Sequence, residues 1–198
     1  EGKSFQSKEL ISILEKEEEI LYFTEVLEEK VLLKNGEHEF IASIKGVGDD
    51  FSKMTNLDSI IIEGENFDNY ESNSVAVLGQ GVAYHLSMGV GNMFNRLKIF
   101  VPNRESKTLL NPSSAFAATS VLPIGIFSLG AEYDSKYIIT PIVFLQDLLQ
   151  KKEVSAIQVQ LKDESKMLEV QKYLQSILGE NFIVSNRLQQ HAVLHKIL

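Results

Sequence analysis

The strand-to-helix segment VAVLGQGVAYHLSM, at residues 75–88, decides the fold class of this chain of 198 residues. Its first four residues, 75–78, form the short apolar run of a buried strand. Glycines at 79 and 81 then turn the chain into a helix, and glycines at 89 and 91 are expected to end that helix. A buried strand that turns into a helix predicts a sheet with helices packed on one face.

Upstream of this segment, a β-hairpin is the clearest signal. Apolar and polar residues alternate on both sides of Asn35-Gly36, and a two-residue hairpin turn requires positive φ at both of its central residues. A short helix with Ser7 as its N-cap precedes the hairpin. The chain is therefore predicted to begin with a helix and two antiparallel strands.

Downstream, strands alternate with helices. A helix is predicted after Thr140-Pro141, with Pro141 at its first position, and another after Asp163. Phe182 and Val184 are predicted to form a last short strand, and Asn186 to cap a final helix. The remaining predicted strands are 97–101, 121–128, 137–139 and 157–161.

The pattern divides the chain into three stretches. Residues 1–50 and 121–198 contain the hairpin and two βαβ-like units, which predict a ferredoxin-type arrangement. Residues 51–120 are predicted to be an insertion of mixed strands and one helix. The predicted fold class is therefore α+β, with one α/β subdomain built from both chain ends and a smaller mixed α/β subdomain inserted into it.

Composition excludes several classes of function. Asp and Glu number 27 against 19 Lys and Arg, and a net charge of -8 argues against nucleic-acid binding. The absence of cysteine excludes disulfides, thiol catalysis and Cys-ligated metals. No apolar run approaches the roughly 20 residues of a membrane span, so we expect any membrane segment to lie outside this chain.

Motifs for catalysis are incomplete. Residues 79–81 occupy the place of a dinucleotide-binding loop, but Tyr84 stands where that loop needs a small residue. His191 and His195 have helical spacing, yet Ala192 replaces the glutamate of a zinc-protease motif. No G-x-S-x-G nucleophile motif occurs. We therefore predict no catalytic residue, no cofactor and no metal, and a function that resides in a surface.

Five blocks, in the right order, resemble the extracytoplasmic domains of FtsX-like ABC transporter permeases. They are a strand-to-helix block at 75–92, a strand ending in proline at 96–102, and a G-I-F-x-x-G-x-x-x-D block within 122–134. A strand end at 44–47 and the strand at 137–141, followed by a leucine-rich helix, complete the set. One departure is Asn92, where the family usually has aspartate.

The resemblance implies a periplasmic domain inserted between the first two membrane helices of a type VII permease. Such a domain has a porter-like subdomain, here residues 1–50 with 121–198, and an inserted Sabre-like subdomain, here 51–120. It is not catalytic, because ATP is hydrolysed on a separate ATPase subunit or domain. The isolated domain is expected to be a monomer.

Within this group, the lipoprotein-releasing permeases of the LolC/LolE type are most similar. Macrolide-exporter (MacB) permeases and FtsX-type regulators of cell-wall hydrolases remain alternatives, as does a soluble small-molecule binder from another class. The expected partners are the ABC ATPase and a periplasmic lipoprotein carrier or adaptor, with a lipoprotein as a candidate substrate.

In the LolC-like member, the loop after the strand ending in proline forms a hook that binds the carrier, and residues 102–118 match it. An apolar leucine pair beside basic residues suits an anchor within a polar rim. An ordinary long hairpin loop is the alternative. The candidate partner-binding residues are Pro102, Asn103, Arg104, Lys107, Leu109, Leu110, Asn111 and Pro112.

Overall fold

The computed structural model describes residues 4–102, 116–187 and 189, and for residue 116 the backbone alone. These residues form six α-helices and eight β-strands. The elements are α1 Lys8–Leu14, β1 Ile20–Asn35, β2 His38–Val47, α2 Phe51–Thr55, β3 Ile61–Gly64, β4 Val75–Gly79, α3 Gln80–His85, β5 Leu97–Pro102, β6 Phe116–Phe127, α4 Ala131–Asp134, β7 Tyr137–Pro141, α5 Ile142–Leu149, β8 Ala156–Leu161 and α6 Met167–Leu178, with 3-10 turns at Leu57–Ser59, Glu164–Lys166 and Gly179–Asn181.

The predicted hairpin is present and longer than its pattern indicated. Strand β1 runs for 16 residues and pairs antiparallel with β2 from Val26↔Val47 to Asn35↔His38. The central turn residues are Gly36 and Glu37 and not the predicted Asn35 and Gly36, because Asn35 is the last residue of β1 and pairs with His38. Of Asn35, Gly36 and Glu37, Gly36 alone takes a positive φ, of +57°. This long ribbon supplies two different attachment sites for other strands.

Six strands close into a ring through their backbone pairings. Strand β2 pairs parallel with β7, β7 antiparallel with β4, and β4 parallel with β6. Strand β6 pairs antiparallel with β5, and β5 returns to residues 32–34 of β1. Two further strands extend this sheet, β8 on residues 20–26 of β1 and β3 on β6.

The main core lies on the inner face of this ring. Alternate residues of the strands point inward, and helices α3 and α5 fill the space between them. Burying one such side chain stabilises the fold by roughly 1.5–3 kcal/mol. The large side chains that are completely buried here are Leu33, Ile44, Leu78, Leu86, Leu97, Ile99, Ile138 and Leu145.

The outer face of the sheet is covered over one half. Phe51 of α2, Leu57 and Phe67 pack on the outward side chains of β4, β6 and β7 and on the end of β2. A smaller cluster lies where α1 and α6 cover β1 and β8. Near it, the rings of Phe5 and Phe182 meet at 5.2 Å between centroids, so both ends of the described chain lie together.

The predicted α+β class is confirmed, and three local predictions besides the hairpin turn are wrong. Residues 182–184 form no strand, because the side chain of Gln175 bonds the backbone of both Phe182 and Val184. Helix α3 ends at His85, before the glycines, and Ser87 takes φ +49° there. Pro141 precedes helix α5 as its N-cap residue. The subdomain boundaries stay a prediction.

Candidate functional site

Of the predicted partner-binding residues, the structure describes Pro102. It is exposed, and it ends β5 opposite Phe116, the first residue of β6. The connection 103–115 therefore leaves and re-enters the sheet at two neighbouring, paired positions. The other predicted residues lie outside the described part of the chain: Asn103, Arg104, Lys107, Leu109, Leu110, Asn111 and Pro112, as do His191 and His195.

The half of the outer face that residues 51–70 do not cover carries a row of apolar side chains across four strands. Leu32 of β1 lies opposite Ile41 of β2 on one side and Phe100 of β5 on the other. Phe100 in turn lies opposite Ala118 of β6. Directly opposed side chains are about 4.5–5.5 Å apart at Cβ, so these four residues form one continuous apolar row.

This apolar row belongs to none of the three hydrophobic clusters of the described residues. Ile41 is 71% exposed, Ala118 is exposed, and Leu32 and Phe100 are half-buried. Val47, on the same face of β2, is by contrast covered and 2% exposed. The row was not predicted, although the runs Val31-Leu32-Leu33 and Phe40-Ile41-Ala42 break strict alternation and indicate apolar residues on both faces.

Basic residues border the apolar row, and we call Lys30, Lys34, Arg96 and Lys98 the basic border. Lys34 Nζ lies 2.7 Å from Glu39 Oε1, and this hydrogen bond and charge raise the pKa of Lys34. Lys30 and Lys98 are exposed and form no ion pair with a carboxylate of the described residues. Arg96 donates from Nε to Ser120 Oγ at 3.1 Å, which fixes its head group beside β6.

A half-buried lysine lies further along the same face. Lys45 has a 17% exposed side chain, and its Nζ is 3.8 Å from Glu28 Oε1 and 5.4 Å from the centre of the Phe51 ring. Burial lowers the pKa of Lys45, and the Glu28 charge opposes this effect. Lys45 lies between the half of the face that residues 51–70 cover and the half with the apolar row. Its charge stabilises the fold there only if the Glu28 carboxylate compensates it.

Two blocks of the sequence resemblance meet in the fold. The turn at Gly79 and Gly81 packs against the backbone of Asp134 and Ser135, where a Cβ on either glycine would overlap the facing atoms. The Asp134 carboxylate accepts hydrogen bonds from Ser128 Oγ at 2.9 Å and from the backbone N–H of Leu129 at 2.7 Å. The space over this turn is thus filled by protein.

The described part of the chain offers few groups that could form a metal or catalytic site. Among those residues, no group of three His, Asp or Glu side chains is placed to hold a metal ion. A shallow cleft lined by Ser74, Thr119, Phe144 and Asp147 contains one carboxylate and no neighbouring base. No described helix combines the length and apolar character needed to cross a membrane.

Comparisons with known proteins identify the fold. No protein-family model matches the sequence, and no curated protein matches it. The extracellular domain of the noncanonical ABC-type transporter YknZ from Gram-positive bacteria superimposes with a TM-score of 0.66 and 14% identity, over 92% of this chain and 90% of that one. The periplasmic region of MacB from Actinobacillus actinomycetemcomitans superimposes with a TM-score of 0.64 and 15% identity, over 98% of this chain and 84% of that one.

The chain therefore has the fold of the extracytoplasmic domains of ABC transporter permeases. The agreement extends over nearly the whole length of this chain and most of each neighbour. At these identities the comparisons define the architecture.

Proposed function

We propose that this chain is the periplasmic domain of an ABC transporter permease that releases or exports lipoproteins. The observation that supports an ABC transporter domain is the shared fold over almost the full length of two transporter domains, whereas lipoprotein release is proposed from the resemblance of the sequence blocks to the LolC/LolE type. The ordered blocks of the sequence resemblance support it, because two of them, around Gly79 and Asp134, pack on each other as parts of one structural unit. ATP hydrolysis takes place on a separate ATPase subunit or domain.

In this proposal, residues 102–112 bind a periplasmic carrier or adaptor protein. The pairing of Pro102 with Phe116 supports this role, because it places both ends of the connection on a continuous β-sheet. Rigid strands that present a connection give a binding element a fixed origin. The leucine pair Leu109-Leu110 supplies the apolar anchor, and Arg104 and Lys107 the charged rim.

A macrolide-exporter type of efflux domain is the second candidate. The specific observation in its favour is that the MacB periplasmic region covers 98% of this chain. The two functions are separated by the phenotype of a cell depleted of the full-length permease. Retention of mature lipoproteins in the inner membrane supports lipoprotein release, whereas increased drug sensitivity with normal lipoprotein sorting supports efflux.

The location of the domain is tested by labelling an introduced cysteine in a permease from which any cysteine outside these 198 residues has been removed, since the 198 residues contain none. Tyr84, 82% exposed on α3, is replaced by Cys in the full-length permease, with Leu78→Cys as the buried control. A membrane-impermeant maleimide should label Tyr84→Cys in intact spheroplasts and leave Leu78→Cys unlabelled. Labelling of Tyr84→Cys only after the membrane is broken would contradict a periplasmic location.

The docking role is tested by titrating the full-length permease in detergent with the purified periplasmic carrier of the same organism. Leu109→Ser with Leu110→Ser should weaken the complex by about 1–3 kcal/mol if both leucines are buried anchors. Arg104→Glu with Lys107→Glu should mainly slow association, more strongly at low salt. Unchanged affinity in both variants, with the wild type binding well, would move the docking site elsewhere.

A further inference from the structure

We propose that the free edge of strand β8 pairs with the extended polypeptide segment next to the lipid anchor of a lipoprotein substrate. The segment adds to the sheet as one further strand and is held by backbone hydrogen bonds. This inference rests on the proposed function, because it names the place where the substrate of that function contacts this domain. It relies on the described residues 156–161 and on none of the residues 103–115.

The register of β8 shows which of its backbone groups are free. The Glu25 carbonyl in β1 accepts a hydrogen bond from the Gly48 N–H at 3.0 Å, on the side of β1 that faces β2. Glu25 lies opposite Ile157 of β8, so this pair is not hydrogen-bonded across the two strands. Because bonded and non-bonded pairs alternate, the N–H and C=O groups of Ile157, Val159 and Leu161 point away from β1. Of the described residues, none forms a hydrogen bond with these outward groups.

An extended segment already pairs at the start of this edge. Phe5 donates to the Val154 carbonyl at 3.0 Å, and Val154 donates back to the Phe5 carbonyl at 2.9 Å. Phe5 belongs to none of the named strands, so backbone groups alone are enough to bind a segment here. The outward groups at 157–161 continue the same edge, and an added strand would satisfy them in the same way.

Among the described strands, β3 and β8 each pair with one neighbour, and they differ in how their free edges are protected. Strand β3 has four residues, an irregular register between Ile61 and Glu63, and the charge of Glu63, and such features prevent strand addition. Strand β8 has six residues, none of them charged and none proline. The buried Oε1 of Gln160 has no hydrogen-bond partner among the described residues and could accept from a donor of an added strand. The edge of β8 is therefore the one suited to strand addition.

The position of this edge favours a lipid-anchored partner. Both ends of the described chain lie beside β8, since Phe5 bonds Val154 and its ring contacts the ring of Phe182. In the proposed permease the flanking membrane helices attach at these ends, so the edge lies near the membrane surface, where a lipoprotein begins. Backbone pairing requires no particular side chains, so one edge serves lipoproteins of different sequence. A folded soluble protein keeps its own strand edges covered or charged, which makes an extended segment the better-matched partner.

Site-specific photocrosslinking in cells that express the full-length permease tests the contact. A photoreactive phenylalanine analogue replaces Ala156, an exposed residue of β8, or, as a control on the other edge strand, Ile62, which is 55% exposed on β3. The probe is an epitope-tagged lipoprotein of the same organism. We expect Ala156 to crosslink to the segment next to the lipid anchor, and Ile62 to give no such product.

Backbone variants test how the segment is held. Val159→Pro removes an outward N–H, which an edge strand tolerates, and Val159→Ala keeps that N–H while it also shortens the side chain. The yield of the crosslink from Ala156 should fall roughly fivefold or more in Val159→Pro and stay within about twofold in Val159→Ala. If Val159→Pro fails to fold, the same comparison is made on the lipoprotein, with its extended segment replaced by prolines or by serines. Prolines should lower the yield by a similar factor and serines should not, because serine keeps the backbone N–H.

The inference fails if Ala156 crosslinks instead to residues 1–3 or 188–198 of its own chain, to a second permease chain or to lipid alone. It fails as well if Ala156 gives no crosslink, if Ile62 gives the same product, or if proline and serine segments give equal yields. Depletion of the full-length permease separates this result from the proposed function. Retention of mature lipoproteins in the inner membrane without a crosslink from Ala156 leaves the proposed function standing, whereas normal lipoprotein sorting overturns both.

Discussion

Gly79 lies so close to the backbone of Asp134 that a β-carbon on Gly79 would overlap the Asp134 carbonyl oxygen and lie 2.9 Å from its carbonyl carbon. Gly79 ends β4, and Asp134 ends α4, 55 positions later in the chain. The contact is backbone against backbone and leaves no flexible side chain that could move aside. It holds the strand-to-helix turn against the segment that leads into β7.

We expect Gly79→Ala to destabilise the fold by about 1–3 kcal/mol, because the added methyl group meets rigid backbone. Gly79 has φ -64°, so the effect is steric and not conformational. Gly89→Ala is the control, since a β-carbon there has nothing within 4 Å. Urea unfolding of both variants measures the difference, and equal midpoints would mean that the backbone at Asp134 yields.

Asp134→Ala should cost about 2–3 kcal/mol, because it removes a buried acceptor and leaves donors without partners. Those donors are the Ser128 hydroxyl and the backbone N–H groups of Leu129 and Gly130. Asp147→Ala, an exposed aspartate on α5, should change the free energy of unfolding by less than about 0.5 kcal/mol. Comparable losses in both variants would argue against a structural role of the Asp134 carboxylate.

Thr140→Val should stabilise the protein by about 1 kcal/mol. The Thr140 side chain is 0% exposed, and its hydroxyl has no hydrogen-bond partner among the described residues. Valine keeps the shape and removes the cost of a buried, unpaired polar group. The control is Thr24→Val. Thr24 is 2% exposed and its hydroxyl lies 3.4 Å from the Glu25 carbonyl oxygen, so this substitution should raise the free energy of unfolding by less. A lower melting temperature for Thr140→Val would reveal a partner for the hydroxyl.

The stability difference between Lys45→Met and wild type should depend on pH. Burial lowers the pKa of Lys45 below its ordinary value of 10.5, so between these two values the unfolded chain binds more protons than the folded one. Wild-type stability therefore rises with pH through this window, and the advantage of methionine shrinks there. Unfolding free energies at several pH values measure the trend, and a constant difference would contradict it.

Lys34→Met provides the control of opposite sign. Its hydrogen bond to Glu39 raises the pKa of Lys34 above 10.5, so the stability that Lys34 contributes is present below 10.5 and lost as the pH rises through the raised value. The effect should be small, because this pair is exposed to solvent. If the stability difference from wild type changed with pH in the same direction for Lys34→Met and Lys45→Met, the lowered pKa assigned to Lys45 would be contradicted.

Local signals predicted most of the secondary structure. Gly36 provides the positive φ of the hairpin turn, and the apolar run at 75–78 became the buried strand β4. Asp163 caps the 3-10 turn that leads into α6 by accepting a hydrogen bond from the Ser165 N–H. These features depend on φ preferences and on side chains within a few positions. The same reasoning failed at residues 182–184, where glutamine side chains of α6 hold the backbone that a neighbouring strand would have bonded.

The candidate surface was predicted only in part. The proline at the end of β5 and the connection that follows are visible in the sequence, whereas the apolar row is not. Strand periodicity says that Leu32 and Leu33 point to opposite faces, but it does not say which face another segment will cover. That depends on residues 51–70 packing over one half of the sheet, while the other half is covered by none of the three hydrophobic clusters of the described residues.

The sequence alone therefore determined the α+β class, the hairpin and the absence of cysteine chemistry, since each follows from composition or from short-range backbone preferences. Only the tertiary structure decided the closed ring of six strands, the contact between Gly79 and Asp134, and the row formed by Leu32, Ile41 and Phe100. The physical reason is that strand pairing and burial join residues far apart in the chain. Their free energy depends on which partners meet, and no local pattern specifies those partners.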